Sequence, residues 1–427
     1  PRSRETGLFR QALALCREKK IFLADQTALN RLAKKKKVLP RRFNEQHRRR
    51  ADTVIRHFSM AILWFPRFHT RNIKPWQVDA LHGTLGIYDF DDRRTQHKGE
   101  YTMNNPTIVP VFFSCDDNYL PFLSVALRSM IDNLGDGTVC RVHVLNDGLC
   151  EEGKARLLAM QTDRVTLEFV DVRPQIAPIL DDLKLRDYYT PSIYYRLFIP
   201  TLFPQYRKAI YLDADIAVNG DITALYNTPL GDHLVGAIPD AIIESHEDFR
   251  LYAEGGLGIP YQRYFNSGVL LMNLEQFRLQ GIRERFTHLL GTYRFDTICP
   301  DQDYLNALCY GQVLYLDRGW NKMSIDKNYP GLPPLIHYNM FFKPWQYDDI
   351  SYGEIFWAYA EKTAYRDDIR AIRRAFGLKD RLAQLSANSA LHRNARRIAL
   401  SPVNFRTVLR PETVAFPMPE RVGAYEI

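Results

Sequence analysis

Two aspartates flank a single residue in Asp213-Ala214-Asp215, directly after the apolar run Ala209-Ile210-Tyr211-Leu212 and before Ile216-Ala217-Val218. An extended Asp-x-Asp turns both carboxylates the same way. That suits a hard divalent cation, Mg²⁺ or Mn²⁺, which also takes phosphate oxygens. Alone the pair is weak, because Asp-x-Asp also arises in ordinary turns. Its setting adds weight, since acids at the exit of a buried strand are costly unless a cation or donors neutralise them. Other polar punctuation falls at Ser114-Cys115-Asp116-Asp117-Asn118-Tyr119 and at Asp301-Gln302-Asp303, which opens a short helix. His337-Tyr338-Asn339 and Lys343-Pro344-Trp345 follow. Taken singly, His337 is a satisfied structural histidine and Lys343 a surface residue.

These residues need elements to hold them. Short apolar runs at 107–114, 141–146, 166–172, 208–212, 234–238, 268–272 and 312–316 have the length and β-branched content of strands, several buried on both faces. Between them, 120–134, 151–160, 192–203 and 275–293 carry helical periodicity; Leu123, Leu127, Met130 and Leu134 share one face of the first. Strands alternating with helices predict an α/β fold with a mostly parallel sheet covered on both sides. Ligands bind such sheets beyond the carboxyl ends of the strands, where the acidic residues sit.

Composition sets the outer limits. A chain of 427 residues implies more than one folding unit. Its hydrophobic fraction of 46% and charged fraction of 25% exclude a mostly disordered chain. No run approaches the roughly 18 apolar residues of a membrane span. The chain opens on Pro1 without a leader-like layout, so its start is expected to be a fragment boundary. Six cysteines without a CxxC pair argue against a disulfide framework or a zinc site and for a reducing, cytoplasmic setting. Charge is segregated. Residues 1–104 carry 23 Lys and Arg against 10 Asp and Glu, residues 105–365 carry 22 against 33, and residues 366–427 carry 12 against 6. The basic ends are either solvated faces or attracted to an acidic acceptor or an anionic membrane surface. Nucleic acid is not expected as a partner, because no recognisable module accompanies the charge.

Taken together, Leu212-Asp213-Ala214-Asp215, the stretch Tyr264-Phe265-Asn266-Ser267-Gly268 running on to Leu274, Asp301-Gln302-Asp303-Tyr304-Leu305-Asn306 and His337 with Lys343-Pro344-Trp345 resemble glycosyltransferase family 8. The likeness spans roughly residues 107–350, and within the family it is strongest to bacterial lipopolysaccharide galactosyl- and glucosyltransferases. It implies a GT-A, Rossmann-like fold and a retaining, metal-dependent hexosyltransferase. Such an enzyme moves glucose or galactose from UDP-glucose or UDP-galactose to a saccharide or lipid-linked saccharide. Carried over motif by motif, it implies that Asp116 and Asn118 hold uridine and ribose. Asp213, Asp215 and His337 would bind Mn²⁺ or Mg²⁺, and Lys343 would meet the diphosphate. Arg196, Asp240, Asn266 and Asp301 would face the donor sugar, with Gln302 near the anomeric carbon. Neither Gln302 nor Asp301 is an obvious covalent nucleophile, so front-face displacement is expected. Two alternatives stay open. A metal-dependent phosphohydrolase also begins from Asp-x-Asp, although it would want Thr or Val where Ala217 stands. A decayed sugar-nucleotide or glycan-binding protein is the other.

The three expected domains are residues 1–104, 105–350 and 351–427. The first carries a fainter copy of the same landmarks. Asp25-Gln26 echoes Asp301-Gln302, Arg42-Phe43-Asn44 echoes Gly319-Trp320-Asn321, His57 echoes His337, and Lys74-Pro75-Trp76-Gln77 repeats Lys343-Pro344-Trp345-Gln346. No Asp-x-Asp precedes these landmarks (Asp89-Phe90-Asp91 comes after them) and there is no nucleotide-binding first strand, so it is expected to be a silent, partial repeat; the alternative is a basic helical lead-in with chance matches. The last region is a basic helical tail. Arg370, Arg373 and Arg374 surround Ile369, Ile372 and Phe376, and Arg396 and Arg397 surround Ile398 and Leu400. Such segments either lie on an anionic bilayer surface, peripherally on the inner face of the membrane, or pack on the core.

Overall fold

In the computed structural model, residues 106–183, 190–325 and 329–410 are described, all in the unit that begins at Met103. The landmarks of the N-terminal repeat lie outside the described residues. Among the described residues the strands are β1 (Thr107–Ser114), β2 (Thr138–Asn146), β3 (Val165–Asp171), β4 (Ala209–Leu212), β5 (Ile216–Val218), β6 (Val235–Pro239), β7 (Phe265–Met272), β8 (Val313–Tyr315), β9 (Lys322–Met323) and β10 (Leu335–His337). The seven apolar runs fall in one sheet ordered β3-β2-β1-β4-β7-β6-β8. Only β7 in that sheet runs antiparallel to its neighbours. A second sheet, β5-β10-β9, sits at the end of β4.

This order builds the site. The chain winds outward from β1 through β2 to β3, then returns to lay β4 on the other side of β1. Crossovers therefore diverge between β1 and β4 and open a crevice beyond their carboxyl ends. Asp116 follows β1, Asp213 follows β4 and Asp240 follows β6. Because β7 is reversed, its first residues, Asn266 and Ser267, arrive at the same edge.

α1 (Leu120–Asp132) and α2 (Glu151–Leu158) fall where the periodicity placed them. Two segments differ. The helix expected over 192–203 is a 3-10 segment, Pro191–Phe198, followed by one α turn, Ile199–Leu202. Pro200 offers no N–H to the carbonyl of Arg196, and the Arg196 side chain itself takes the Ile193 carbonyl, Nε to O 3.1 Å. The helix expected over 275–293 is two, α3 (Leu274–Leu279) and α4 (Ile282–Tyr293), broken at Gly281 with φ +60°. A glycine takes that left-handed turn without the penalty a Cβ incurs. α5 (Pro300–Cys309) begins at the expected acids.

Beyond residue 350 come α6 (Gly353–Ala360), α7 (Arg366–Ala375), α8 (Leu378–Ala399) and α9 (Phe405–Leu409). Phe356, Ala360 and Ile369 join one hydrophobic cluster of the domain, and Ala395, Ile398 and Phe405 join the other. Of the five arginines named above in the tail, four are paired: Arg370 with Glu361 at 2.8 Å, Arg397 with Asp296 at 2.9 Å, Arg373 with Asp348 and Arg396 with Asp248.

Candidate active site

Asp213, Asp215 and His337 meet because two sheets meet. As β4 ends, the Asp213 N–H donates to the Gly268 carbonyl at 2.8 Å. β5 then pairs antiparallel with β10, placing Ile216 opposite His337, and the Tyr338 N–H donates to the Asp215 carbonyl at 2.9 Å. The imidazole Nε2 lies 3.2 Å from Asp215 Oδ1 and 3.7 Å from Asp213 Oδ2.

Asp213 Oδ1 accepts from Arg196 Nη2 at 2.8 Å and from the Tyr211 hydroxyl at 3.0 Å, while Asp215 Oδ2 accepts from Lys343 Nζ. His337 Nδ1 is 2.9 Å from Asn321 Oδ1, and Asn321 Nδ2 donates to Asn266 Oδ1 at 2.9 Å. The network thus assigns the proton to Nδ1 and leaves the Nε2 lone pair facing two carboxylates. Nε2 is buried without a hydrogen bond. One ligand atom from each of the three residues lies within 4.8 Å of the others. Two carboxylates and an imidazole fit a hard or borderline divalent ion. Gly268 makes the closure possible: a Cβ there would stand 2.2 Å from His337 Cε1 and 2.6 Å from Asp213 Oδ2.

Electrostatics follow from burial. Burial pushes the Asp215 carboxyl up, but the charge of Lys343, with the His337 ring beside it, outweighs that and holds the group below its ordinary value. Burial works against the Arg196 guanidinium, and Asp213 and Asp301 more than compensate. Asp301 moves the other way: burial raises it, and Arg196, 3.2 Å away, only partly opposes.

The start of α5 forms the floor. Gln302 Oε1 accepts from the Ser267 N–H at 2.9 Å and Asn266 Nδ2 at 3.1 Å, and its Nε2 donates to Asp240 Oδ2 at 3.0 Å. Asp301 Oδ2 accepts from the Ser267 hydroxyl at 3.0 Å. The rest of the motif is a clamp. Asn306 exchanges two hydrogen bonds of 2.8 Å with the backbone of Phe265, extending the β7 ladder with an amide. Fully buried Asp303 accepts from the hydroxyls of Tyr252 at 2.7 Å and Tyr264 at 2.6 Å. Burial pushes its carboxyl up to about 7.

These groups line a cleft of about 730 Å³ that takes in Asp116, Arg196, Asp213, Asp215, Asp240, Asn266, Asp301, Gln302, His337 and Lys343. Asn118 is not on its lining and is exposed; its backbone N–H donates to Asp116 Oδ1 at 3.0 Å. Trp345, stacked on Phe122 with 3.8 Å between ring centroids, anchors the loop that presents Lys343. Sequence reading gave no role to Asn321, Tyr211 or Gly268. Asn321 had a signal in the repeated Asn44, and Gly268 stood inside a quoted motif.

A second trio with metal-binding atoms, His246, Asp248 and His392, lies elsewhere. There Arg396 already holds Asp248 Oδ1, His392 Nδ1 is 2.9 Å from Oδ2, and His246 Nδ1 accepts the Asp248 N–H at 3.2 Å. Both Asp248 oxygens and both Nδ1 atoms there already have partners within the protein.

Comparison with known proteins gives the family and the fold. The profile of glycosyl transferase family 8 matches residues 110–349. Lipopolysaccharide 1,2-glucosyltransferase of Escherichia coli is 27% identical, over 62% of this chain and 81% of its own length. General stress protein A of Bacillus subtilis is 27% identical, over 52% of this chain and 76% of its own. The galactosyltransferase LgtC, solved with donor and acceptor sugar analogues, superposes with a TM-score of 0.50 at 27% identity, covering 61% of this chain and 99% of that one. The bifunctional glycosyltransferase WbbM gives 0.54 at 25% identity, over 63% of this chain and about half (52%) of that one.

Proposed function

Given that the chain belongs to glycosyl transferase family 8 and has its GT-A fold, we propose that it moves a glucosyl or galactosyl group from a UDP-hexose to a saccharide acceptor, with retention. The observation that carries this reading is the convergence of Asp213 Oδ2, Asp215 Oδ1 and His337 Nε2, each without another partner. Mn²⁺ or Mg²⁺ held there supplies positive charge to a leaving diphosphate. Lys343, buried beside Asp215, adds a second positive group for the charge that develops on UDP. Asp116 spends Oδ1 on the N–H groups of Asn118 and Tyr119, so Oδ2 is open to a ribose or uracil donor. Asn118 would assist from the edge of the cleft.

Gln302 Oε1 already accepts from the Asn266 amide and the Ser267 N–H, which supports front-face displacement over attack by Gln302. In that reaction the acceptor hydroxyl attacks the anomeric carbon from the side UDP leaves, and its proton passes to a phosphate oxygen. A covalent hexosyl adduct trapped on Gln302 or Asp301 would overturn it. The test of the function is Mn²⁺-dependent release of UDP across several UDP-sugars with lipopolysaccharide-core acceptors, abolished by Asp215→Asn. Phosphate release without sugar transfer would instead favour the phosphohydrolase.

A cytoplasmic setting draws support from the free thiols of Cys115, Cys140, Cys150, Cys299 and Cys309. Contact with an anionic membrane draws support from exposed Leu378, Leu382 and Leu385 beside Lys379 and Arg381, rather than from the paired arginines. Among the described residues no helix is long and apolar enough to cross a membrane. Residues 1–104 are read as a silent partial repeat. Full activity of a His57→Ala, Lys74→Ala double variant is the expected result.

A further inference from the structure

The family match stops at residue 349, yet the cleft does not. Its lining continues through Phe376, Asp380, Ala383, Gln384, Ala387 and Leu391, the last five on one face of α8. For a helix held only by core packing, this face is reversed. Leu378, Leu382 and Leu385 stand 72%, 56% and 57% exposed on the other side, while two alanines, an amide, a carboxylate and, farther along, Leu391 face the cleft. Hydrophobic burial would have chosen the opposite rotation.

The far end of the helix fixes the orientation. Ala395, Ile398 and Ala399 are buried, and His392 and Arg396 hold Asp248. Gly255 packs so near Ala399 that a Cβ at 255 would lie 3.1 Å from its carbonyl oxygen. In the cleft-facing half, the Tyr347 hydroxyl donates to Gln384 Oε1 at 2.8 Å, and Gln384 Nε2 donates to Gln346 Oε1 at 2.9 Å. Asp380 spends Oδ2 on the Gly377 N–H at 2.8 Å and keeps Oδ1 for another donor.

We propose that this half of α8 is the acceptor wall of the cleft, and that Gln384 and Asp380 select which saccharide hydroxyls are admitted. The proposal rests on the transferase reading above. Amide and carboxylate edges bind hydroxyl groups, and the strip of Ala383, Ala387 and Leu391 suits the C–H face of a pyranose ring.

The test uses the full chain with Mn²⁺ and UDP on a printed array of neutral and anionic oligosaccharides, with UDP binding measured in parallel by calorimetry. The wild type is expected to mark a defined subset of the array. Ala387→Trp, which fills the strip, lowers that signal by about tenfold or more while UDP affinity stays within about twofold. Gln384→Leu changes which saccharides are marked, and it carries the test if Ala387→Trp fails to fold. Leu385→Ser, on the outer face, changes neither reading. An array unmoved by both cleft-facing variants, or equally weakened by Leu385→Ser, overturns the proposal. So does a blank wild-type array while UDP still binds. Failure of the wild type to bind UDP with Mn²⁺ removes the transferase reading itself, and the wall with it.

Discussion

Among the described residues, two trios of side chains have the composition of a metal site, and only one has the chemistry. Asp213, Asp215 and His337 send their arginine, lysine, tyrosine and asparagine partners to the outer atoms and keep three inner atoms free. His246, Asp248 and His392 place a comparable set of atoms within the same reach, but Arg396 occupies one carboxylate oxygen and a histidine the other. The difference teaches that ligand type and distance do not define a cation site. What defines it is whether the surrounding network satisfies each group from behind, so that its remaining lone pair points at its neighbours'. In the second trio the same groups serve as a bolt between α8 and the short helix Glu247–Leu251.

The largest effect that tests the contrast is on turnover. Asp215→Asn is expected to lower Mn²⁺-dependent UDP-hexose consumption about a hundredfold or more. Asp248→Asn is expected to leave turnover per folded molecule within about twofold and to cost roughly 1–3 kcal/mol of stability, because it strips buried partners from Arg396 and His392. Initial rates and chemical denaturation separate the two. Equal loss of activity in both variants breaks the comparison. Counting Mn²⁺ by electron paramagnetic resonance sharpens it: one ion per chain is expected, lost with Asp215→Asn and kept with Asp248→Asn.

Next in size is the network behind the imidazole. Asn321→Ala removes the acceptor that fixes the Nδ1–H tautomer of His337 and is expected to weaken Mn²⁺ binding about 10–100-fold. Asn321→Asp keeps an acceptor at that position and is expected to recover most of the loss. Unchanged affinity in Asn321→Ala would show that the tautomer is set elsewhere.

How far the sequence could be read follows the same division between atoms that act and atoms that support. The strands were legible because their apolar runs are short, β-branched and punctuated, and all seven lie in the main sheet. The acids at the ends of β4 and at the start of α5 were legible because polar groups at such places need a reason. Asn321 left only the echo of Asn44, since a lone amide before a two-residue strand carries no periodicity and its partner lies 16 residues on. The clamp role of Asp303 and Asn306 was hidden by their neighbours Asp301 and Gln302: four polar residues on one helix start look alike until the reversed β7 divides them. The 3-10 form of Pro191–Phe198 was masked by apolar spacing that mimics a helix, whereas Pro200 and the Arg196 side chain decide the winding.

The smallest effect sets two buried acids against each other through pH. Asp248 is pushed up by burial, yet Arg396 and His392 outweigh that and leave it below its ordinary value. Its contribution is therefore present above the unfolded carboxyl value of about 3.9 and lost as pH falls through the folded value. Asp303 is raised by burial to about 7, with the hydroxyls of Tyr252 and Tyr264 only partly opposing. Its contribution has the opposite sign: full below about 3.9, and lost as pH rises through about 7. Thermal melts from pH 3 to 8 should show Asp248→Asn flattening the acid limb relative to wild type. Asp303→Asn should flatten the slope between about pH 4 and pH 7. If Asp303→Asn leaves that slope in place, Asp303 is ionised throughout, and the tyrosines hold a carboxylate rather than a carboxylic acid.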